Sequence, residues 1–307
     1  MTSILILRRN YMGCRKLGRT GLIVPEVGLG TWPLSGNRYF PGYGKGHTEL
    51  ARGVLKAAVQ GGVEFLDTAL AYDAGHINRT IGNLFPAGSD NITICTKGGW
   101  DLDQGAFNPD PSFLRNQVIN NLTTLQRDCL DIFLLHSPPA EFIAEPRIYG
   151  PLLELREQGK IKAIGVSVRH FEDAWQVLLA PEIDVVQLPY NPVLWGKDRG
   201  LIAALGKQDI GIIAREILVN GTLAKTNDFY PIDDFRAHWP LELHQQVFTA
   251  KADWESYRRG HESWLEFALR FALDRSEICT ALVGARKREH IDDLCKAVSR
   301  ETRIENQ

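Results

Sequence analysis

Val63-Glu64-Phe65-Leu66-Asp67-Thr68-Ala69-Leu70-Ala71-Tyr72 opens as an apolar run of strand length and stops on a carboxylate, with a tyrosine five residues further on in a loop. Two later runs repeat the design. Ile92-Thr93-Ile94-Cys95-Thr96 stops on Lys97, and Asp131-Ile132-Phe133-Leu134-Leu135 stops on His136. Strands that are apolar throughout, rather than alternating, belong to a parallel sheet buried on both faces. Taken alone, Asp67 reads as a cap or turn residue, Lys97 as a surface lysine and His136 as a hydrogen-bonded loop histidine. Their joint placement on successive strand ends, with Tyr72 beside them, reads instead as one shared rim.

Outward from that stretch the same alternation fills the chain. Lys16 to Val24 reads as a hairpin around a glycine-containing turn, and Glu26 to Trp32 as a first strand ending on Gly30-Thr31. Thr48 to Gln60 carries apolar residues at helical spacing and stops at Gly61-Gly62. Further strands are expected at 63–67, 92–97, 130–136, 161–167, 184–187, 211–215 and 278–283. Helices are expected near 78–84, 111–125, 149–158, 171–179, 199–207, 261–273 and 289–299. Eight such units at crossover spacing predict an α/β fold, an eight-stranded parallel (β/α)8 TIM barrel with an N-terminal β-hairpin. An open doubly wound sheet is the alternative. The whole of 1–307 reads as a single domain, with residues 1–12 an extension, Met12 a candidate start, and 221–260 a polar-aromatic insertion after strand seven.

Composition narrows the function classes. The 307 residues are 44% hydrophobic and 23% charged, enough chain for a large core. A net charge of −2 gives no field favouring nucleic acid or an acidic membrane. No apolar run approaches the ~20 residues of a membrane span, and the first residues do not read as a signal peptide. Cys14, Cys95, Cys129, Cys279 and Cys295 are odd in number and widely spaced, which points to reduced thiols in a cytoplasmic protein. The sequons at Asn78, Asn91, Asn121 and Asn220 then read as chance. The histidines show no metal-ligand spacing, so no metal is expected. The expected partner is a small molecule, and the protein itself a monomer or small homo-oligomer.

A barrel of this kind carries its chemistry at the C-terminal ends of the strands. Those ends read Gly30-Thr31, Asp67, Lys97, His136, Ser167, Gln187, Arg215 and Gly284-Ala285-Arg286. A free phenol with a pKa of ~10 is a poor acid and a worse base at neutral pH. A lysine ammonium beside Tyr72 would favour phenolate and lower that value by about a unit or more. Asp67 would hold Lys97, and His136 could orient a substrate oxygen. Such a phenol exchanges a proton with an oxygen. Side chains cannot supply hydride, so carbonyl reduction would need a nicotinamide cofactor.

At these residues the chain resembles the aldo-keto reductase family, in the branch opening with a segment like Lys16-Leu17-Gly18-Arg19-Thr20-Gly21-Leu22. The Asp67–Tyr72 spacing, Thr96-Lys97 and Leu134-Leu135-His136-Ser137-Pro138 match that family's catalytic tetrad. Leu155 to Lys162 before Gly165-Val166-Ser167, and Val283-Gly284-Ala285-Arg286, are similar to its later motifs. The resemblance implies Tyr72 as general acid/base, Lys97 and Asp67 as its tuning pair, and His136 orienting the carbonyl. It implies Ser167 and Gln187 on the nicotinamide carboxamide, Arg215 stacked on the ring, and Leu218 to Leu223, with Gly221, over the pyrophosphate. Gly30 and Thr31 join that cofactor set. Gly284, Arg286, His290 and Asp293 fall at the adenosine end, and a helix N-terminus beside Arg286 suits a 2′-phosphate. NADP(H) is therefore the expected cofactor. Trp32, Tyr43 and Trp100 are the expected substrate-binding residues, with Tyr39 beside them, although each aromatic could equally pack a loop.

The sequence departs from the family pattern in four places. Val168 replaces an asparagine that contacts the carboxamide, Glu216-Ile217-Leu218 replaces Ser-Pro-Leu, Asp293-Leu294 replaces Glu-Asn, and His290 replaces Gln or Arg. Two other functions therefore stand beside the reductase. One is a cofactor-binding regulatory subunit with little turnover, like the potassium-channel β subunits of this family. The other is a dehydratase or epimerase using the same Tyr–Lys pair without redox chemistry.

Overall fold

The computed structural model describes residues 13–36, 48–88, 92–225 and 230–304. The expected N-terminal extension, Tyr39 and Tyr43 lie outside the described residues. In chain order, strands β1 (Cys14–Lys16) and β2 (Ile23–Pro25) form the N-terminal hairpin, with Arg15 opposite Val24. Then come β3 (Val27–Gly30), helix α1 (Thr48–Gln60), β4 (Phe65–Asp67), α2 (His76–Leu84) and β5 (Thr93–Gly98). A second small hairpin, β6 (Trp100–Asp101) with β7 (Ala106–Phe107), precedes α3 (Pro111–Leu125) and β8 (Leu130–His136). The series continues with α4 (Ala140–Ile143), α5 (Gly150–Glu157), β9 (Ile161–Ser167), β10 (Val185–Pro189), α6 (Leu201–Lys207) and β11 (Gly211–Arg215). It ends with α7 (Leu241–Glu255), α8 (Trp264–Leu273), β12 (Ile278–Gly284) and α9 (Arg288–Ile304).

Eight of these strands, β3, β4, β5, β8, β9, β10, β11 and β12, are parallel and close on themselves, with β12 pairing back to β3. Closure excludes the doubly wound alternative and establishes the (β/α)8 barrel. Its interior is filled by Phe65, Cys95, Ile132, Leu134, Val185 and Ile213, and the hairpin adds Leu17 and Val24 as a plug. Arg15 fastens that plug by donating to the carbonyls of Leu273, Arg275 and Ile278. Gly165 on β9 is required by space. A Cβ there would lie 2.1 Å from the carbonyl oxygen of Val185 on the next strand.

The helices show why local reading succeeds or fails. For α3, Pro111 sits in the first turn and the Asp110 side chain accepts from the Phe113 amide, a cap legible in sequence. Segment Phe171–Leu179, expected as an α-helix, is a 3₁₀ helix. A 3₁₀ helix rises ~2.0 Å per residue against ~1.5 Å. Nine residues therefore cover more of the return path between β9 and β10. Helix α7 inside the insertion was not expected. It buries only Val247 and Ala250, so it carries almost no apolar periodicity. Trp254 at its end packs edge-on against Phe271 and the exposed Trp195, as surface packing.

Candidate active site

The ends of β4, β5, β8, β9, β10 and β11 deliver Asp67, Lys97, His136, Ser167, Gln187 and Arg215 to one rim of the barrel. Register does much of this. Gly30 pairs with Asp67, and His136 with Ser167, so neighbouring strands stop level. Tyr72 follows β4 in a tight turn where Asp73 and Ala74 have left-handed φ of 48° and 49°. Each costs about 1–2 kcal/mol for a residue with a Cβ, a strain that re-aims the chain between Tyr72 and α2.

Lys97 is fully buried and makes a dense set of contacts. Its Nζ donates to Asp67 Oδ1 and Oδ2 at 2.7 and 2.8 Å, to the Thr68 carbonyl at 3.0 Å, and to the Tyr72 hydroxyl at 3.4 Å. Gln187 Nε2 donates to Asp67 Oδ1 at 2.7 Å, and Ser167 Oγ donates to Gln187 Oε1 at 2.9 Å. The Tyr72 and His136 rings meet edge-on with centroids 5.9 Å apart, and Trp100 lies 6.2 Å from His136. Arg215 is pinned by the carbonyls of Val168 and Arg169 at 2.7 and 3.1 Å and by an ion pair with Glu216.

These contacts set the protonation states. Burial is the largest single influence on the Lys97 pKa and works to lower it, but Asp67, Tyr72 and Cys95 together raise it by more, and the ammonium stays charged well above its usual range. The expected lowering of Tyr72 is not the outcome. Burial, the largest influence, pushes the phenol above its ordinary value; Lys97 pulls it down by less, and Asp67 adds a smaller push upward. Tyr72 is thus a protonated phenol at neutral pH. Burial, then Lys97 and Arg215, hold His136 well below the usual imidazole range, so it is neutral.

A neutral buried imidazole has a stability consequence. Its folded pKa lies below the unfolded value of ~6.5, so the unfolded chain takes up the proton first. The stability that His136 contributes is present above pH ~6.5 and is lost as pH falls toward the depressed folded value. Urea midpoints of the wild type should therefore fall on acidification below that point more steeply than those of His136→Gln. Parallel curves would remove the assignment.

A cleft of about 1330 Å³ runs from this rim across the barrel mouth. Its lining includes Gly30, Trp32, Asp67, Tyr72, His136, Ser167, Gln187 and Arg215, and also Leu218, Gly221, Gly284, Arg286, His290 and Asp293. Three expected residues do not reach the lining as described. Lys97 lies beneath it. Thr31 is fully buried, its amide donating to the Asp67 carbonyl at 2.9 Å. Trp100 stands behind His136. At the far end the Arg286 amide donates to His290 Nδ1 at 3.3 Å, so it is engaged within the protein rather than left open for a phosphate. Leu294 is buried and Asp293 pairs with Lys296.

Arg169, Lys225, Arg236 and Lys296, none of them expected at the site, also line the cleft. Lys296 follows His290 and Asp293 at helical spacing and was accessible to a face count. Arg236 was not. It is brought in by a bidentate pair with Asp234 and a bond to the Asn220 carbonyl, within the insertion. Among the described residues, no group of His, Cys, Asp and Glu could hold a metal, and no helix is long and apolar enough to cross a membrane.

The strand ends of this closed parallel barrel thus hold a buried carboxylate–ammonium pair against a phenol at the edge of an open cleft. Residues 26–306 match the Aldo/keto reductase family, and the chain belongs to it. It is 25% identical over 308 residues to the NADH-specific methylglyoxal reductase of Escherichia coli (strain K12), covering 92% of each chain. It is 27% identical over 238 residues to Aldo-keto reductase yakc [NADP(+)] of Schizosaccharomyces pombe (strain 972 / ATCC 24843), covering 74% of this chain and 68% of that one. The fold is shared with the glycerol dehydrogenase AKR11B4 of Gluconobacter oxydans, at TM-score 0.75 and 23% identity over 94% of this chain and 90% of that one. The protein is thus an oxidoreductase-family barrel, with its helices between the strands as that family has them.

Proposed function

We propose that this protein interconverts an aldehyde, ketone or sugar carbonyl with its alcohol, using NADP(H). The observation that carries the reading is the Tyr72 hydroxyl 3.4 Å from an ammonium that Asp67 keeps charged. The cofactor would supply and accept the hydride. The side chains do the rest. Tyr72, protonated at neutral pH, donates its proton to the carbonyl oxygen, and the Lys97 ammonium stabilises the phenolate left behind. His136, neutral, has the hydrogen-bonding capacity to hold the substrate oxygen in line. Trp32 offers an apolar wall at the mouth.

The cleft's residues fit a nicotinamide dinucleotide. Ser167 and Gln187 present a hydroxyl and an amide to a carboxamide. Arg215, immobilised on three sides, offers a flat guanidinium for stacking and compensates in part for Val168, whose side chain is buried. Leu218 and Gly221 border the middle of the cleft, and Arg286, Lys225 and Lys296 make its far end cationic. The two named relatives differ in cofactor, so the choice rests on those cations. They favour a 2′-phosphate. Asp293 at the same end opposes one, and its pairing with Lys296 offsets that charge.

NADPH oxidation with a panel of aldehydes, ketones and sugars tests the reaction. A protein that holds the cofactor without turnover would support the regulatory-subunit alternative. One that turns over a substrate with no cofactor would support the dehydratase or epimerase. Arg286→Ala should weaken NADPH by about tenfold or more, the scale of one lost charged hydrogen bond, while NADH is nearly unchanged. Equal losses in fluorescence titrations with both cofactors would remove the NADP(H) preference.

A further inference from the structure

Behind the catalytic lysine lies a closed ring of buried hydrogen bonds. It begins at the Lys97 carbonyl, which accepts from Asn121 Nδ2 at 3.2 Å. Asn121 Oδ1 accepts from Asn78 Nδ2 at 2.8 Å, and Asn78 Oδ1 accepts from Thr68 Oγ1 at 2.8 Å. The Thr68 carbonyl accepts from Lys97 Nζ at 3.0 Å, which returns the path to its starting residue. Asn121 is saturated, because Thr96 Oγ1 also donates to its Oδ1 at 2.6 Å and its Nδ2 reaches the Gln117 carbonyl at 2.9 Å. Thr68, Asn78, Thr96 and Asn121 are all fully buried.

Buried amides of this kind are expensive unless every group is paired, so they are kept where one geometry has to be specified. The pattern also fixes the amide orientation. Turning Asn121 over would set its oxygen against the Lys97 carbonyl and its NH₂ against that of Asn78. Each member comes from a different place: Thr68 follows β4, Asn78 lies on α2 just past the Tyr72 turn, Lys97 ends β5, and Asn121 lies on α3. The ring therefore ties together the segments carrying the ammonium, its carboxylate partner and the phenol. Asn78 and Asn121 sit in sequons, and both amides are shut away from modification.

We propose that Asn78 and Asn121 are positioning residues for the acid–base pair, holding the Lys97 ammonium at the distance from Tyr72 that sets the phenol's ionisation. Neither touches the cleft; they act through Lys97 and Thr68. The proposal rests on the reductase reading for its kinetic consequence alone, and the geometry it describes can be tested without turnover.

The test uses Asn121→Leu, of similar size without hydrogen bonds, and Thr68→Val, which removes one hydroxyl from the ring and preserves shape. Tyr72 ionisation is read from tyrosinate absorbance as the difference between each protein and its Tyr72→Phe counterpart. NADPH affinity and carbonyl reduction are measured on the same samples. With the ring opened the ammonium is free to withdraw, so the Tyr72 pKa should rise by about one unit, with kcat falling by about 10- to 100-fold as for a misplacement near 1 Å. NADPH affinity should stay within about twofold. Unaltered phenol titration and kcat in folded variants would overturn the proposal. Thr68→Val alone carries the test if Asn121→Leu does not fold. A wild type that reduces no carbonyl refutes the proposed function, while the phenol titration still decides the ring.

Discussion

Tyr72→Phe is expected to bind NADPH as tightly as the wild type and to lose carbonyl reduction by about 100- to 10,000-fold, the usual worth of a positioned general acid. The substitution deletes only the hydroxyl 3.4 Å from Lys97 Nζ, leaving the ring and its edge contact with His136 in place. Because burial raises the phenol above its ordinary value, the wild type is fully protonated through neutral pH. Reduction should therefore hold a plateau there and decline only on the alkaline side, as the proton needed for donation is lost. A steady-state comparison showing near-normal kcat for Tyr72→Phe would end the acid–base assignment.

The largest effect on stability should come from Lys97→Met. Lys97 and Asp67 are 1% and 4% exposed, and the ammonium contacts both carboxylate oxygens. Removing the cation strands a buried carboxylate, and breaking such a pair costs about 3–5 kcal/mol. Turnover should vanish with it. Removing both charges is a different experiment. Asp67→Leu combined with Lys97→Met leaves no buried charge and should recover part of the lost stability, less what the Gln187 amide loses with its acceptor, while recovering none of the activity. Urea denaturation of the three proteins measures this. A double variant no more stable than Lys97→Met alone would show that the carboxylate was not the source of the loss.

The shared rim of Asp67, Tyr72, Lys97 and His136 was legible because each member lies at or just past the end of a strand. Strand ends are marked in sequence by the switch from an apolar run to a polar residue. Parallel closure then places those ends on one rim whatever the intervening loops do. The other expected positions reach the cleft in part. Ser167 and Arg215 terminate their strands and Gln187 lies two residues before the end of its own, and all three line the cleft, while Thr31, next in the chain to Gly30, is turned under it. Thr31 lies just past the end of β3, at the start of the 3₁₀ turn Trp32–Leu34, where its backbone amide is bound to the Asp67 carbonyl.

Other features had no local signature. The insertion's helix α7 buries too few residues to give a periodic pattern, and Arg236 reaches the cleft through partners on two separate turns. Asn78 and Asn121 read as chance sequons, since the alternative role depends on two helices packing side by side, 43 residues apart in sequence.

Apolar runs, their spacing and their polar ends settled the barrel and the identity of its rim residues, because those depend on strand order and periodicity alone. The protonation of that rim was decided by tertiary structure. Lys97 lowers the Tyr72 pKa, as the pairing of residue types implies, but the depth at which the barrel buries the phenol raises it by more. Desolvation is a property of everything packed around a group, and no single stretch of chain carries it.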